Sequence, residues 1–291
     1  MFTSSLFRFK VLVLFWTCGI LIPNSGYGQS NNAEAALYNI GIGSVFSGIC
    51  ALFNKEPEER FGRVLLKGIA QGALGGYIVY ESKILVGEIA KQERQEINWA
   101  AKLVNSAGIS IIENASSNRN FWEQWNLCIG FNRIEFHTNK DFKIKYRIMP
   151  TAFLLTAYSA IGNKFEIKKS LQTGEFIFSG YQIPYRNDGF SAGSAVGPAI
   201  ILNPHSLNDY RLFSHELIHV YQYQDYNFIN AYFKKPLNEL GKKSAFLNKL
   251  NNIFYYDVQA PFGRGLYLLE NLSGDNYYDN FIEHEAYYYS N

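Results

Sequence analysis

Apolar and small residues dominate from Leu37 to Gly87. The segment LYNIGIGSVFSGICALF carries no charge, a charged NKEPEER follows, and LLKGIAQGALGGYIVYESKILVG resumes the apolar run. Gly68, Gly72 and Gly76 recur every four residues, so on a helix they share one face and let a second backbone come close. The pattern predicts a helical hairpin. It fits two closely packed core helices, and it also fits a hairpin touching a membrane, although Lys67, Glu81 and Lys83 interrupt the second arm. Helical spacing then continues through EIAKQERQEINWAAKLVNSAGISIIENA, where Ile89, Ile97, Ala101 and Val104 recur among charges.

After SSNRN the period drops to two. In DFKIKYRIM, Phe142, Ile144, Tyr146 and Ile148 alternate with Lys143, Lys145 and Arg147, which predicts a strand whose lysine-bearing face is solvated. FNRIEFHT, FEIKKSLQ and GEFIFSGYQI read the same way, with a turn at Thr173-Gly174. Residues 125 to 183 are therefore expected to form an antiparallel sheet or meander. A small-residue loop and a short apolar strand, Ala199 to Leu202, follow. The period then returns to helical in RLFSHELIHVYQYQ, with Ser214 as a candidate N-terminal cap, and again in the terminal DNFIEHEAYYYSN. The expected fold class is α+β: an N-terminal helical hairpin region, an antiparallel sheet and a helical C-terminal region carrying His-Glu-x-x-His.

Composition narrows the function classes. At 291 residues with 47% hydrophobic positions the chain can bury a sizeable core. Its opening segment has Arg8 and Lys10, the apolar run Val11 to Ile22, and a PNSG break. Twelve residues are too few to span a bilayer, so residues 1–28 read as a cleaved export signal and the mature chain as periplasmic, outer-envelope or secreted, of bacterial type. Without that segment 25 basic residues balance 25 acidic ones, and no nucleic-acid footprint remains. Cys50 and Cys128 are left, either as one disulfide or as two buried thiols. The chain divides into the signal, a glycine-rich helical region over 29–120, and a domain over 121–291. Residues 37–87 offer peripheral membrane contact.

The candidate chemistry lies in that last domain. His215 and His219 are four apart on a helix, so both imidazoles project from one face and can chelate one ion. Glu216, one position on, can act as general base toward a water activated by the metal. A third ligand is available downstream: Glu283 stands three residues before Ala286, which places a carboxylate and a small residue on one helical face. Glu285 is the competing carboxylate. His205, after Asn-Pro, is a candidate substrate contact, and His137 an ordinary polar residue.

HELIHVYQ followed by EHEA resembles the glutamate-zincins, especially small bacterial envelope enzymes whose third ligand lies in a Glu-x-x-Ala helix. The resemblance covers Ala195 to Tyr289. It implies a Zn2+ metallopeptidase acting on peptides or proteins, with His215, His219 and Glu283 as zinc ligands and Glu216 as the catalytic base. It also implies that Ala199 to Leu202 is the strand edge that pairs with substrate. Two features depart from the pattern: 63 residues separate His219 from Glu283, and Tyr287 stands where an acid often follows the ligand. Asp209 and Asp225 are the alternative acceptors for a ligand imidazole. Tyr221, Tyr223 and Tyr287 are the candidates to stabilise charge on the substrate. The alternative function is a catalytically inactive, envelope-associated binding protein whose hairpin contacts a membrane. In a further arrangement residues 29–120 occlude the peptidase.

Overall fold

The uncharged run and the glycine-rich run pair as antiparallel helices, α1 (Asn32–Phe53) and α2 (Phe61–Gln92), in a computed structural model that describes residues 31–183, 192–271 and 280–291. The export-signal reading lies outside the described residues, as does 184–191 of the small-residue loop. The glycines face inward. A Cβ on Gly72 would lie 2.1 Å from the Gly43 carbonyl oxygen, and one on Gly76 would lie 2.2 Å from that of Asn39, so α1 and α2 meet backbone to backbone. Among the described residues α1 is the one helix long and apolar enough to cross a membrane by length and composition. Helicity does not run on uninterrupted. Glu93 turns into the left-handed region, and α3 (Ile97–Ser116) starts after that break.

The strands form two sheets. β1 (Gln124–Ile129), β2 (Asn132–His137) and β3 (Lys143–Ile148) make an antiparallel meander. The expected meander stops there. Pro150–Ala160 is helix α4, and FEIKKSLQ, expected as a strand, yields only the two-residue β4 (Lys164–Phe165) before helix α5 (Ile167–Thr173). Gly174, expected in a hairpin turn, instead closes α5 in the left-handed conformation. Ile167 and Leu171 satisfy a period of four as well as of two, and both face solvent, so neither period reports burial here. β3 is a second reversal. Its apolar Ile144 and Tyr146, like Phe142 just before the strand, are more than half exposed, while Arg147 turns inward to Glu135. The lysine-bearing face is therefore only partly wet: Lys143 keeps 73% of its side chain in solvent, while Lys145 and Arg147 are half-buried.

The second sheet has the order β4-β5-β7-β6, with β5 (Phe176–Ser179) parallel to β7 (Ala199–Leu202) and β6 (Gly193–Val196) antiparallel to it. β7 is thus an interior strand with all four residues buried, and the edge belongs to β6. The edge implied by the zincin resemblance thus falls on the wrong member of this pair; a fully apolar strand is what an interior position requires.

Helix α6 (Tyr210–Asp225) follows. Its cap is Asp209, whose side chain accepts from the backbone N–H groups of Arg211 and Leu212, and Ser214 lies one turn inside the helix. Helices α7 (Asn230–Lys243) and α8 (Ala245–Ile253) fill much of the long spacing, and α9 (Gln259–Asn271) and α10 (Phe281–Ser290) complete the order. A shared core joins the regions. Tyr80, Val86 and Ile89 of α2 and Ala101 of α3 pack with Ile177 and Ile200 of the sheet, with Phe213, Leu217 and Val220 of α6, and with Ala286 and Tyr289 of α10. Burial of the Val, Ile, Leu and Phe side chains among these, at about 1.5–3 kcal/mol each, packs the helical region against the sheet-bearing region. Cys50 and Cys128 are free buried thiols.

Buried ion pairs reinforce the same junction. Lys83 of α2 meets Asp225 at 2.6 Å and Glu285 at 2.8 Å; Lys102 of α3 meets Glu175 at 2.7 Å; and Glu113 of α3 meets Arg133 of β2 at 2.6 Å. Lys83 has no exposed side-chain surface. Burial opposes its charge, yet the two carboxylates hold it above the ordinary lysine value.

Candidate metal centre

Helical spacing brings His215 and His219 side by side on α6, with their Nε2 atoms 3.1 Å apart. α10 crosses this face closely because Ala286, fully buried, presents no bulk against it. Glu283 is delivered by that approach: its Oε2 lies 3.4 Å from His215 Nε2 and 3.3 Å from His219 Nε2. His215 and Glu283 are buried and His219 half-buried, and the three form a group that can hold a metal ion. Glu285 points elsewhere, with one oxygen on Lys83 and the other accepting from Gln222 Nε2 at 2.8 Å.

The His219 ring is held in a defined state. Both N–H groups of the Gln222 amide are engaged, with the carbonyl of Ile282 and with Glu285, each at 2.8 Å. Only Oε1 remains to face His219 Nδ1, at 2.7 Å. A carbonyl oxygen accepts, so Nδ1 carries hydrogen and Nε2 faces Glu283. The acceptor expected of Asp209 or Asp225 is therefore Gln222, three residues beyond His219 and so on the same helical face. That spacing is the signal that sequence reading passed over. His215 Nδ1 is buried without a hydrogen-bond partner among the described residues.

Glu216 stands beside this group, 5% exposed, under the edge strand. The Ala195 N–H of β6 hydrogen-bonds its carboxylate. A Cβ on Gly193 would lie 3.0 Å from a Leu202 methyl and 3.3 Å from Glu216 Oε1, so a side chain there would crowd both. Burial raises the Glu216 carboxyl, against the pull of the two imidazoles and the Ala195 N–H. Burial also opposes charging His219, but the Glu283 carboxylate, with Glu216 behind it, lifts that imidazole to about 9. A proton thus occupies the group in the absence of a cation. A divalent ion must displace it, so affinity is expected to rise about tenfold per pH unit from 6 to 8, measured by chelator competition. A pH-independent affinity over that range contradicts the protonated state.

Two of the three candidate tyrosines are committed elsewhere. The Tyr221 hydroxyl donates to Asn98 at 2.8 Å and that of Tyr223 to Asp257 at 2.7 Å. Tyr287 remains at the site, its ring centroid 4.5 Å from that of His215. His205 lies 3.5 Å from the Tyr181 hydroxyl, and His137 lies 3.5 Å from Glu135; neither belongs to the metal group. No family model matches the chain, and no curated protein or solved structure matches it.

Proposed function

We propose that this chain is an exported zinc metallopeptidase of glutamate-zincin type, with His215, His219 and Glu283 as ligands and Glu216 as base. The observation that carries the reading is the convergence of two imidazole nitrogens and one carboxylate oxygen within 3.1–3.4 Å of one another beside the buried Glu216. Donors about 2.0–2.1 Å from one tetrahedral ion stand roughly 3.3 Å apart, and a set of two histidines and a glutamate is a zinc set that leaves a position open.

When bound, zinc supplies Lewis-acid activation of water and of the scissile carbonyl. Glu216 takes the proton of the attacking water and passes it to the leaving amine. The Ala195 N–H keeps its carboxylate aimed. β6 pairs with β7 on one side and with no strand on the other among the described residues, so an extended peptide adding there runs past Glu216. The basic and apolar opening segment supports export. The test is elemental analysis and peptide hydrolysis on the purified chain: about one zinc per chain is expected, with hydrolysis lost on chelation and restored by zinc. A chain that takes up no zinc, or hydrolysis indifferent to chelation, sinks the reading.

A second reading, an inactive envelope-associated binding protein, draws on the apolar side chains Leu37, Val45, Leu66, Leu74 and Tyr77, exposed on the hairpin. It requires the chain to pellet with membranes, resist carbonate extraction and hydrolyse no peptide with zinc bound.

A further inference from the structure

We infer that Gln222, Glu285 and Lys83 form a positioning line that sets the orientation and the metal affinity of His219, so that helix α2 of the N-terminal region is a working element of the metal centre. The inference rests on the zinc reading of His215, His219 and Glu283. Each link has one direction. His219 Nδ1–H donates to Gln222 Oε1 at 2.7 Å, Gln222 Nε2 donates to Glu285 Oε2 at 2.8 Å, and Lys83 Nζ donates to Glu285 Oε1 at 2.8 Å. Lys83 is in turn held by Asp225 at 2.6 Å and by the Asn39 side chain of α1 at 3.0 Å. Every member beyond His219 is buried, so water does not substitute for a missing partner cheaply.

The direction follows from the donors. An ammonium only donates and a carboxylate only accepts, so Lys83 obliges Glu285 to receive from Gln222. Gln222 then cannot turn its amide over, because its oxygen would face a carboxylate and the Ile282 carbonyl, three acceptors with no hydrogen among them. The imidazole is left in the one tautomer that offers Nε2 to an ion. Where a single carboxylate behind the histidine would do this directly, here an amide carries the constraint and a lysine from another region anchors it. Tyr287 at the acid position is consistent with that division, since the acceptor comes from α6 and not from α10.

The measurement is the zinc dissociation constant, by chelator competition, of the full chain and of Gln222→Met and Gln222→Asn, together with cobalt(II) absorption spectra. The first variant removes the acceptor at similar volume, and the second keeps an amide but withdraws it by one methylene. Zinc binding is expected to weaken about 10- to 100-fold in both, with an altered cobalt spectrum; metal-free melting falls as well, because Glu285 and the Ile282 carbonyl lose a buried donor, while both variants stay folded. Parental affinity in either folded variant overturns the line. So does weakened binding with an unaltered cobalt spectrum, since loosened packing rather than ring orientation would then be responsible. A parent chain that binds neither zinc nor cobalt fails earlier, at the metal centre itself, and takes the inference with it.

Discussion

Glu216→Gln is expected to lower peptide hydrolysis by about 10²- to 10⁴-fold while zinc content stays at one per chain. The amide has the size and hydrogen-bonding reach of the carboxylate, so it fits under β6 and beside the Ala195 N–H, but it cannot accept the water's proton. Because Glu216 is not among the three converging donors, its loss leaves the ion's ligands in place. The measurement is kcat/KM on a fluorogenic peptide mixture, with metal analysis of the same preparation. Unchanged hydrolysis with stoichiometric zinc removes Glu216 from the reaction. Loss of both zinc and activity would make it a ligand or a structural residue.

The largest effect on stability is expected at Lys83. Replacing it with Met leaves two carboxylates, Asp225 and Glu285, facing each other in the core without their cation, at a cost of about 3–5 kcal/mol. Burial and the nearby Glu285 already push the Asp225 carboxyl up to about 6, and Lys83 is what restrains that rise. The check is urea denaturation of Lys83→Met beside a triple variant that also carries Asp225→Asn and Glu285→Gln. The triple variant, with no buried charge left there, is expected to recover much of the loss. Equal stability of Lys83→Met and the parent would mean that the carboxylates find water or each other's proton at little cost. The same junction bears on the idea of residues 29–120 as a removable occluding segment. Deleting them removes Lys83, Lys102 and Glu113 together, so the expected outcome is an unfolded remainder and not a more active one.

How much of this was legible in the chain depends on the range of the interaction. Local periodicity placed α1, α2 and the histidine helix, because an i, i+4 repeat is a property of a few neighbouring residues. The same locality misled at FEIKKSLQ and at β3. A short apolar alternation states which positions differ, not which side is wet, and the buried Glu135 drew Arg147 inward against the pattern. The exchange of β6 for β7 as the edge has a similar origin, since pairing order is set by strands far apart in sequence.

For the site, the sequence by itself determined a histidine pair on one helical face, a glutamate between them and two downstream carboxylates, because covalent spacing on a helix dictates which side chains share a face. Only the tertiary structure decided between Glu283 and Glu285. Lys83, 142 residues from Asp225 and 202 from Glu285, occupies the second carboxylate and leaves the first to the imidazoles. That choice is electrostatic and long-range: a buried ammonium must be matched by acids wherever the fold finds them, and no local pattern records the match.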